Sequence, residues 1–275
     1  MKTKFMNVKV YSIFLVSLFI VFLGSYQYGF GTGYSFGYDI GYRKGYSIGY
    51  DEGYNESYSD GSILSYVIDQ KILPYILISN RTVEIAFRLS NGSISAWTIG
   101  VDTFEAQIIS GWYQRAYNLS YITLTSSKTG EKFRVIDFRP FVLKENFVKV
   151  MSNLYRSLGN DDVAFVREVW FIVTQLTAYS SENKETPRYP LETLVGGGGD
   201  CEDMAILIAS MLKAAPVNYN VSLVYMDSSN PLNPVNINHV LVWVETPSGY
   251  KTFVDGTSKT TMSPFKEVSG WYLEV

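Results

Sequence analysis

Residues 189–203 read YPLETLVGGGGDCED, and this stretch decides the fold. The four glycines Gly196–Gly199 allow the backbone to turn sharply. Asp200 suits the N-cap position of a helix, and Asp203, three residues later, completes a pair that resembles a capping box. The apolar residues that follow have helical spacing and predict a buried helix. The stretch therefore places Cys201 in the first turn of that helix.

The position of Cys201 favours a chemical role. Free N–H groups and the helix dipole attract negative charge at a helix amino terminus, which predicts a lowered thiol pKa and a larger thiolate fraction. The same N–H groups could hold an oxyanion. The chain has one cysteine and one histidine, which excludes an internal disulfide and a structural zinc site. A buried structural cysteine is the alternative.

The single histidine lies in a predicted hairpin. Ile237–Glu245 reads as a strand with His239 near its start, Pro247–Gly249 as a turn, and Tyr250–Asp255 as the returning strand. Counting back from the turn places Asp255 within a residue or two of the position opposite His239. The carboxylate could then orient one ring nitrogen while the other faces the thiol. A histidine that only packs against its neighbours is the alternative.

The run from YPLETL through GGGGDCED and MAILIASMLKA, followed by NHVLVWV and FVDGT, resembles the transglutaminase-like superfamily, in particular its membrane-anchored archaeal and bacterial members. The resemblance covers roughly residues 160–260. It implies an α+β fold with a papain-like core, in which a nucleophile helix packs on an antiparallel sheet. It also implies acyl transfer through a thioester, without a cofactor, by Cys201, His239 and Asp255. The superfamily includes peptidases, amidases, cross-linking transferases and inactive relatives, so the acyl acceptor stays open.

The resemblance also implies a side chain upstream of the cysteine that supports the oxyanion. Three residues are candidates, and the sequence does not choose among them: Trp170, Gln175 and Tyr189.

The amino terminus resembles a membrane anchor. The basic residues Lys2, Lys4 and Lys9 precede an uncharged, largely apolar stretch over residues 10–29, about 20 residues, which is enough to cross roughly 30 Å of hydrocarbon. We expect residues 1–9 to lie inside the cell and the rest to face outward. A cleaved signal peptide is the alternative. Five N-x-[ST] sequons agree with an outward position, although an Asn-rich loop composition would also produce them: Asn55, Asn80, Asn91, Asn118 and Asn220.

Residues 30–61 repeat with a period of four, in which a glycine precedes an aromatic residue. This pattern predicts either a self-associating helical stalk or a flexible spacer. Residues 62–145 have alternating segments and form a predicted strand-leaning accessory region, with a strand at Thr82–Leu89 and a hairpin from Tyr121 to Phe138. Residues 146–275 form the predicted catalytic domain, whose first helices are Phe147–Leu158 and Val163–Ala178.

Composition limits the function classes. Hydrophobic residues make up 47% of the 275-residue chain and charged residues 18%, with a net charge of −3 and no basic cluster after the first residues. Nucleic-acid binding through phosphate neutralisation is therefore not predicted. The sequence favours a membrane-anchored, extracytoplasmic cysteine acyl-transfer enzyme that acts on protein or peptide amides, with hydrolysis favoured over cross-linking. The alternative is a non-catalytic surface protein for binding or assembly.

Overall fold

The computed structural model describes residues 73–78, 81–101, 119–126, 128–181 and 186–275, all within the compact unit Leu64–Val275. The predictions for the basic tail, the anchor and the repeat, residues 1–61, fall outside the described residues. Within the described ranges, no helix has both the length and the apolar character that crossing a membrane requires.

The structure confirms a mixed helix and sheet fold with antiparallel sheets. The first sheet has the order β1-β2-β3. Its strands are Tyr75–Ile78, Thr82–Arg88 and Ile94–Gly100. A separate hairpin pairs β4, Tyr121–Thr125, with β5, Lys132–Ile136. The predicted strand after Thr82 and the predicted hairpin from Tyr121 are confirmed, whereas β1 and β3 were not predicted.

Four α-helices lie in the described part of the chain. They are α1, Val148–Ser157; α2, Asp162–Leu176; α3, Pro190–Val195; and α4, Cys201–Lys213. Asp161 caps α2 by accepting a hydrogen bond from the Ala164 N–H at 2.9 Å. This bond confirms that the acidic pair at residues 161–162 starts the helix. Two 3-10 turns, Arg139–Phe141 and Glu145–Phe147, precede α1.

The second sheet has the order β10-β9-β8-β11. Its strands are β8, Asn220–Met226; β9, His239–Glu245; β10, Lys251–Val254; and β11, Trp271–Glu274. Helix α4 packs on β8 and β9 and against α2 and α3. Every α4 residue from Glu202 to Leu212 is buried, as the apolar run predicted. A buried helix on an antiparallel sheet thus carries Cys201 at its first residue.

Two short strands complete the fold next to that cysteine. Ala178–Tyr179, β6, pairs in parallel with Gly198–Gly199, β7. Strand β7 consists of the last two glycines before Asp200. The residues in front of the helix are therefore held by a neighbouring strand.

Candidate functional site

The glycine run permits a close approach to β6. Gly198 has φ +131°, and a Cβ on it would lie 2.0 Å from the Ala178 carbonyl oxygen. Any other residue at this position would push β6 and β7 apart. The sequence assigned these glycines to a sharp turn; the structure adds that the last two form half of a parallel strand pair.

The acidic residues around Cys201 do not make the contacts of the predicted capping box. Asp200 occupies the N-cap position, but its side chain makes no capping hydrogen bond, and its Oδ1 is buried without a hydrogen-bond partner among the described residues. Asp203 accepts a hydrogen bond from the Arg188 N–H at 2.7 Å. The Arg188 guanidinium also donates to the Gly198 carbonyl at 2.5 Å. Arg188 thus ties the glycine run to the first turn of α4.

The structure brings His239 and Asp255 together. Nε2 of His239 lies 3.0 Å from Oδ2 of Asp255. The β9–β10 register pairs Val254 with Val242, which places Asp255 opposite Leu241, two residues from His239. This agrees with the count made from the turn.

The carboxyl group of Asp255 is buried, and both of its oxygens have hydrogen-bond partners. Oδ1 accepts hydrogen bonds from the Thr257 N–H at 2.9 Å and from the Thr257 hydroxyl at 2.7 Å. Burial alone would raise the pKa of Asp255, but the hydrogen bonds from His239 and Thr257 outweigh it, so the pKa lies below its usual range. Asp255 is therefore an ionised acceptor for the ring.

The thiol lies beside the start of β9. The backbone N–H of Val240, the residue after His239, acts on the Cys201 sulfur and lowers the pKa of the thiol. Helix α4 packs on β9. The His239 ring contacts Asp255 through Nε2. The structure thus brings His239 and Asp255 into contact and places the Cys201 thiol beside the residue that follows His239.

The protonation of the thiol differs from the prediction. Burial raises the pKa of the Cys201 thiol above its usual range, and the carboxylates of Glu202 and Asp200 raise it further. The sulfur donates to Oε2 of Glu202 at 3.5 Å, which favours the protonated form. The Val240 N–H lowers the pKa of the thiol, but its effect is smaller than that of burial. Together, these effects favour the neutral thiol of Cys201 over its thiolate.

The three oxyanion candidates have other contacts. The Trp170 indole N–H donates to the Asp255 carbonyl at 3.0 Å, so it holds the strand end that carries the carboxylate. The Gln175 amide exchanges hydrogen bonds of 2.8 and 2.9 Å with the backbone of Arg88 on β2. The Tyr189 ring packs 5.2 Å from Phe141 at the start of α3.

Within the described residues, no group of three or more His, Cys, Asp and Glu side chains could hold a metal ion.

Comparison with known proteins gives structural similarities of low score. No family model and no curated protein matches the chain. A candidate cysteine protease from Cytophaga hutchinsonii matches with 13% identity and a TM-score of 0.35, over 55% of this chain and 65% of that one. Calcium-bound LapG of Legionella pneumophila matches with 22% identity and a TM-score of 0.32, over 43% and 68%. A candidate protease from Parabacteroides distasonis matches with 14% identity and a TM-score of 0.31, over 65% and 40%.

The chain thus spans 65% of the length of the Cytophaga protein, just under two thirds. TM-scores of this size do not establish a shared fold.

Proposed function

We propose that this protein is a cysteine hydrolase or acyltransferase of the transglutaminase-like, papain-related kind, with Cys201 as nucleophile, His239 as base and Asp255 as the group that orients the ring. One observation carries the proposal. The 3.0 Å contact between His239 Nε2 and Asp255 Oδ2 fixes the ring on a strand whose next N–H reaches the Cys201 sulfur. Nucleophile, base and orienting acid in this order are what acyl transfer requires.

The neutral thiol determines the first step. Nδ1 of His239 removes the thiol proton as the sulfur attacks the carbonyl carbon of an amide, so no preformed thiolate–imidazolium pair is needed. The new S–C bond moves an electron pair onto the carbonyl oxygen. When the C–N bond breaks, the imidazolium gives its proton to the departing amine. Water or a second amine then attacks the thioester and regenerates the thiol.

The substrate is a peptide or isopeptide amide, and hydrolysis is favoured over transfer because nothing in the sequence suggests a dedicated path for a second substrate. The basic tail and apolar stretch at residues 1–29 support a single-pass anchor with the catalytic domain outside the membrane. No cofactor takes part in the proposed steps. Self-association through the repeat at residues 30–61 is a further part of the proposal.

A second candidate is a non-catalytic binding or assembly protein that uses the same fold. It is favoured by one observation, the raised pKa of the Cys201 thiol, because a sulfur held protonated by burial and two carboxylates is a poor nucleophile. The two candidates differ in whether His239 accelerates the chemistry of the sulfur.

Acylation by p-nitrophenyl acetate separates these candidates. In the full-length protein, we expect an acetyl group to form on Cys201, detected by mass spectrometry of the intact chain and its peptides. Replacing His239 with Ala should slow this acylation about 10²-fold or more, because general-base catalysis is lost. Asp255→Asn should slow it as well, since the ring loses its orientation. Equal rates in the wild type and in His239→Ala would support the binding protein instead.

A further inference from the structure

The backbone of Asp255 is fixed on both sides. Its N–H donates to the Met262 carbonyl at 2.9 Å, and its carbonyl accepts the Trp170 indole N–H at 3.0 Å. The residue as a whole is buried. The main chain of Asp255 therefore has a set position at the end of β10, and the freedom left to the residue lies in its side-chain torsions.

The next residue brings this segment against the nucleophile helix. A Cβ on Gly256 would lie 2.8 Å from the Cβ of Met204 and 3.0 Å from Cδ1 of Ile208. Met204 lies about one helical turn after Cys201 on α4. A larger residue at position 256 would push the segment away, so the glycine keeps the chain that carries the carboxylate at contact distance from α4.

The two oxygens of the Asp255 carboxyl have separate partners. Oδ2 lies 3.0 Å from Nε2 of His239. Oδ1 accepts the Thr257 N–H at 2.9 Å and the Thr257 hydroxyl at 2.7 Å. Because both donors of Thr257 act on the same oxygen, they fix the plane of the carboxylate with the other oxygen turned to the ring.

This constraint matters because the last torsion of an Asp side chain is soft. It has broad, roughly two-fold preferences, so the torsion alone does not set the plane of the carboxyl group. An imidazole works as a base only while its orienting carboxylate holds the ring in place. Hydrogen bonds to a charged oxygen are among the stronger ones in proteins. The donors on Oδ1 thus decide the direction from which the Asp255 carboxylate meets His239.

We propose that Thr257 is a positioning residue whose hydroxyl fixes the plane of the Asp255 carboxylate and thereby holds the His239 ring in the orientation that a base requires. Any residue except proline would supply the N–H at position 257, whereas the second bond needs a hydroxyl on Cβ. This inference rests on the proposed function and adds a fourth side chain to it.

Thr257→Val tests the hydroxyl in the full-length protein, because valine keeps the branched shape and the N–H. We expect acylation of Cys201 by p-nitrophenyl acetate, followed by mass spectrometry of the intact chain, to slow about 10-fold. Thr257→Ser keeps the hydroxyl and should stay within about threefold of the wild type. Thr252→Val is the matched control, since Thr252 lies on the same strand and its hydroxyl donates to the Phe253 carbonyl. Its acylation rate should equal that of the wild type.

A second background shows whether Thr257 acts through Asp255. In Asp255→Ala the carboxylate is absent, so adding Thr257→Val should change the remaining acylation rate less than about twofold. A residue that only stabilises the local fold would slow the reaction by the same factor in both backgrounds. Urea unfolding checks that each variant is folded. If Thr257→Val does not fold, Thr257→Ala, which also lacks the hydroxyl, takes its place with the same expected rates.

The other outcomes contradict the inference in distinct ways. A Thr257→Val rate equal to that of the wild type, with a wild-type rate that depends on His239, would overturn the inference and leave the proposed function standing. Equal slowing in the wild-type and Asp255→Ala backgrounds, or a Thr257→Ser rate as low as that of Thr257→Val, would also overturn it. A wild-type acylation rate no higher than that of His239→Ala would overturn the proposed function and this inference together.

Discussion

At the scale of single residues, two opposing electrostatic effects meet at Cys201. A helix amino terminus stabilises a nearby anion by about 0.3–1 kcal/mol at an exposed position, which is less than the 1.36 kcal/mol that corresponds to one pKa unit. Burial of an ionisable group can shift its pKa by about 3–5 units. The structure partly buries Cys201 beside Glu202, and this larger effect raises the pKa of the thiol. The sequence identified the dipole but could not show the burial.

Replacing Glu202 with Gln should make Cys201 more reactive. The substitution removes a negative charge whose Oε2 lies 3.5 Å from the sulfur, so the thiol pKa should fall by about one unit. The rate of alkylation by iodoacetamide, measured against pH, should therefore have a midpoint above ~8.5 in the wild type and a lower midpoint in Glu202→Gln. Glu245→Gln, at the other end of β9, is the control and should not move the midpoint. A wild-type midpoint below that of a free cysteine would contradict the assignment of a neutral thiol.

At the scale of secondary-structure elements, the sequence predicted the helices and strands that have strong periodicity or clear end signals. Helix α4, helix α2 with its Asp161 cap, and the β9–β10 hairpin follow from local patterns, which is why His239 and Asp255 could be paired by counting. The β6–β7 pair could not be predicted, because two-residue strands have no periodicity. The Arg188 guanidinium contacts Gly198 of that pair, and Thr257 contacts Asp255 from the loop after β10, and the sequence singled out neither residue.

Helix α3 carries a pH-dependent contribution to stability. Burial raises the pKa of Glu192 to about 7, with a further contribution from Asp203, although its carboxylate accepts the Tyr189 N–H at 3.1 Å. When the pKa of an acid is higher in the folded state than in the unfolded state, rising pH ionises the acid in the unfolded state first, which favours unfolding. Stability should therefore fall as the pH rises from the unfolded pKa, about 4.5, to about 7, and stay lower above it.

Glu192→Gln tests this contribution. Gln keeps an acceptor for the Tyr189 N–H but cannot ionise, so the free energy of unfolding should fall less between pH ~5 and ~7 than in the wild type. Urea unfolding of both proteins at several pH values measures the difference. Parallel curves for the two proteins over this range would show that Glu192 has an ordinary pKa.

At the scale of the whole molecule, the strand-rich and helical parts of the described chain share contacts that the sequence could not foresee. Glu168 of α2 is buried and accepts hydrogen bonds from the Ser90 N–H and hydroxyl, and Gln175 binds the Arg88 backbone. These bonds join residues 78 and 87 positions apart. One hydrophobic core includes Phe87 and Val254. The boundary near residue 145 remains a prediction from the change of hydrophobic periodicity, which reports local pattern and not contacts across the chain.

The orientation of the molecule at a membrane can be tested on intact cells. Basic residues are retained on the cytoplasmic side, so Lys2, Lys4 and Lys9 ahead of the apolar stretch over residues 10–29 should hold the amino terminus inside and place the catalytic domain outside. Protease added to intact cells should then remove a tag fused after Val275, while a cytoplasmic marker protein stays whole. Permeabilised cells, in which both are digested, show that the protease can cut each of them. Tagged protein in the medium would favour a cleaved signal peptide over an anchor. A tag that is digested only after permeabilisation would contradict the outward orientation, and an acyl-transfer site at Cys201 would then have to find its amide substrate inside the cell.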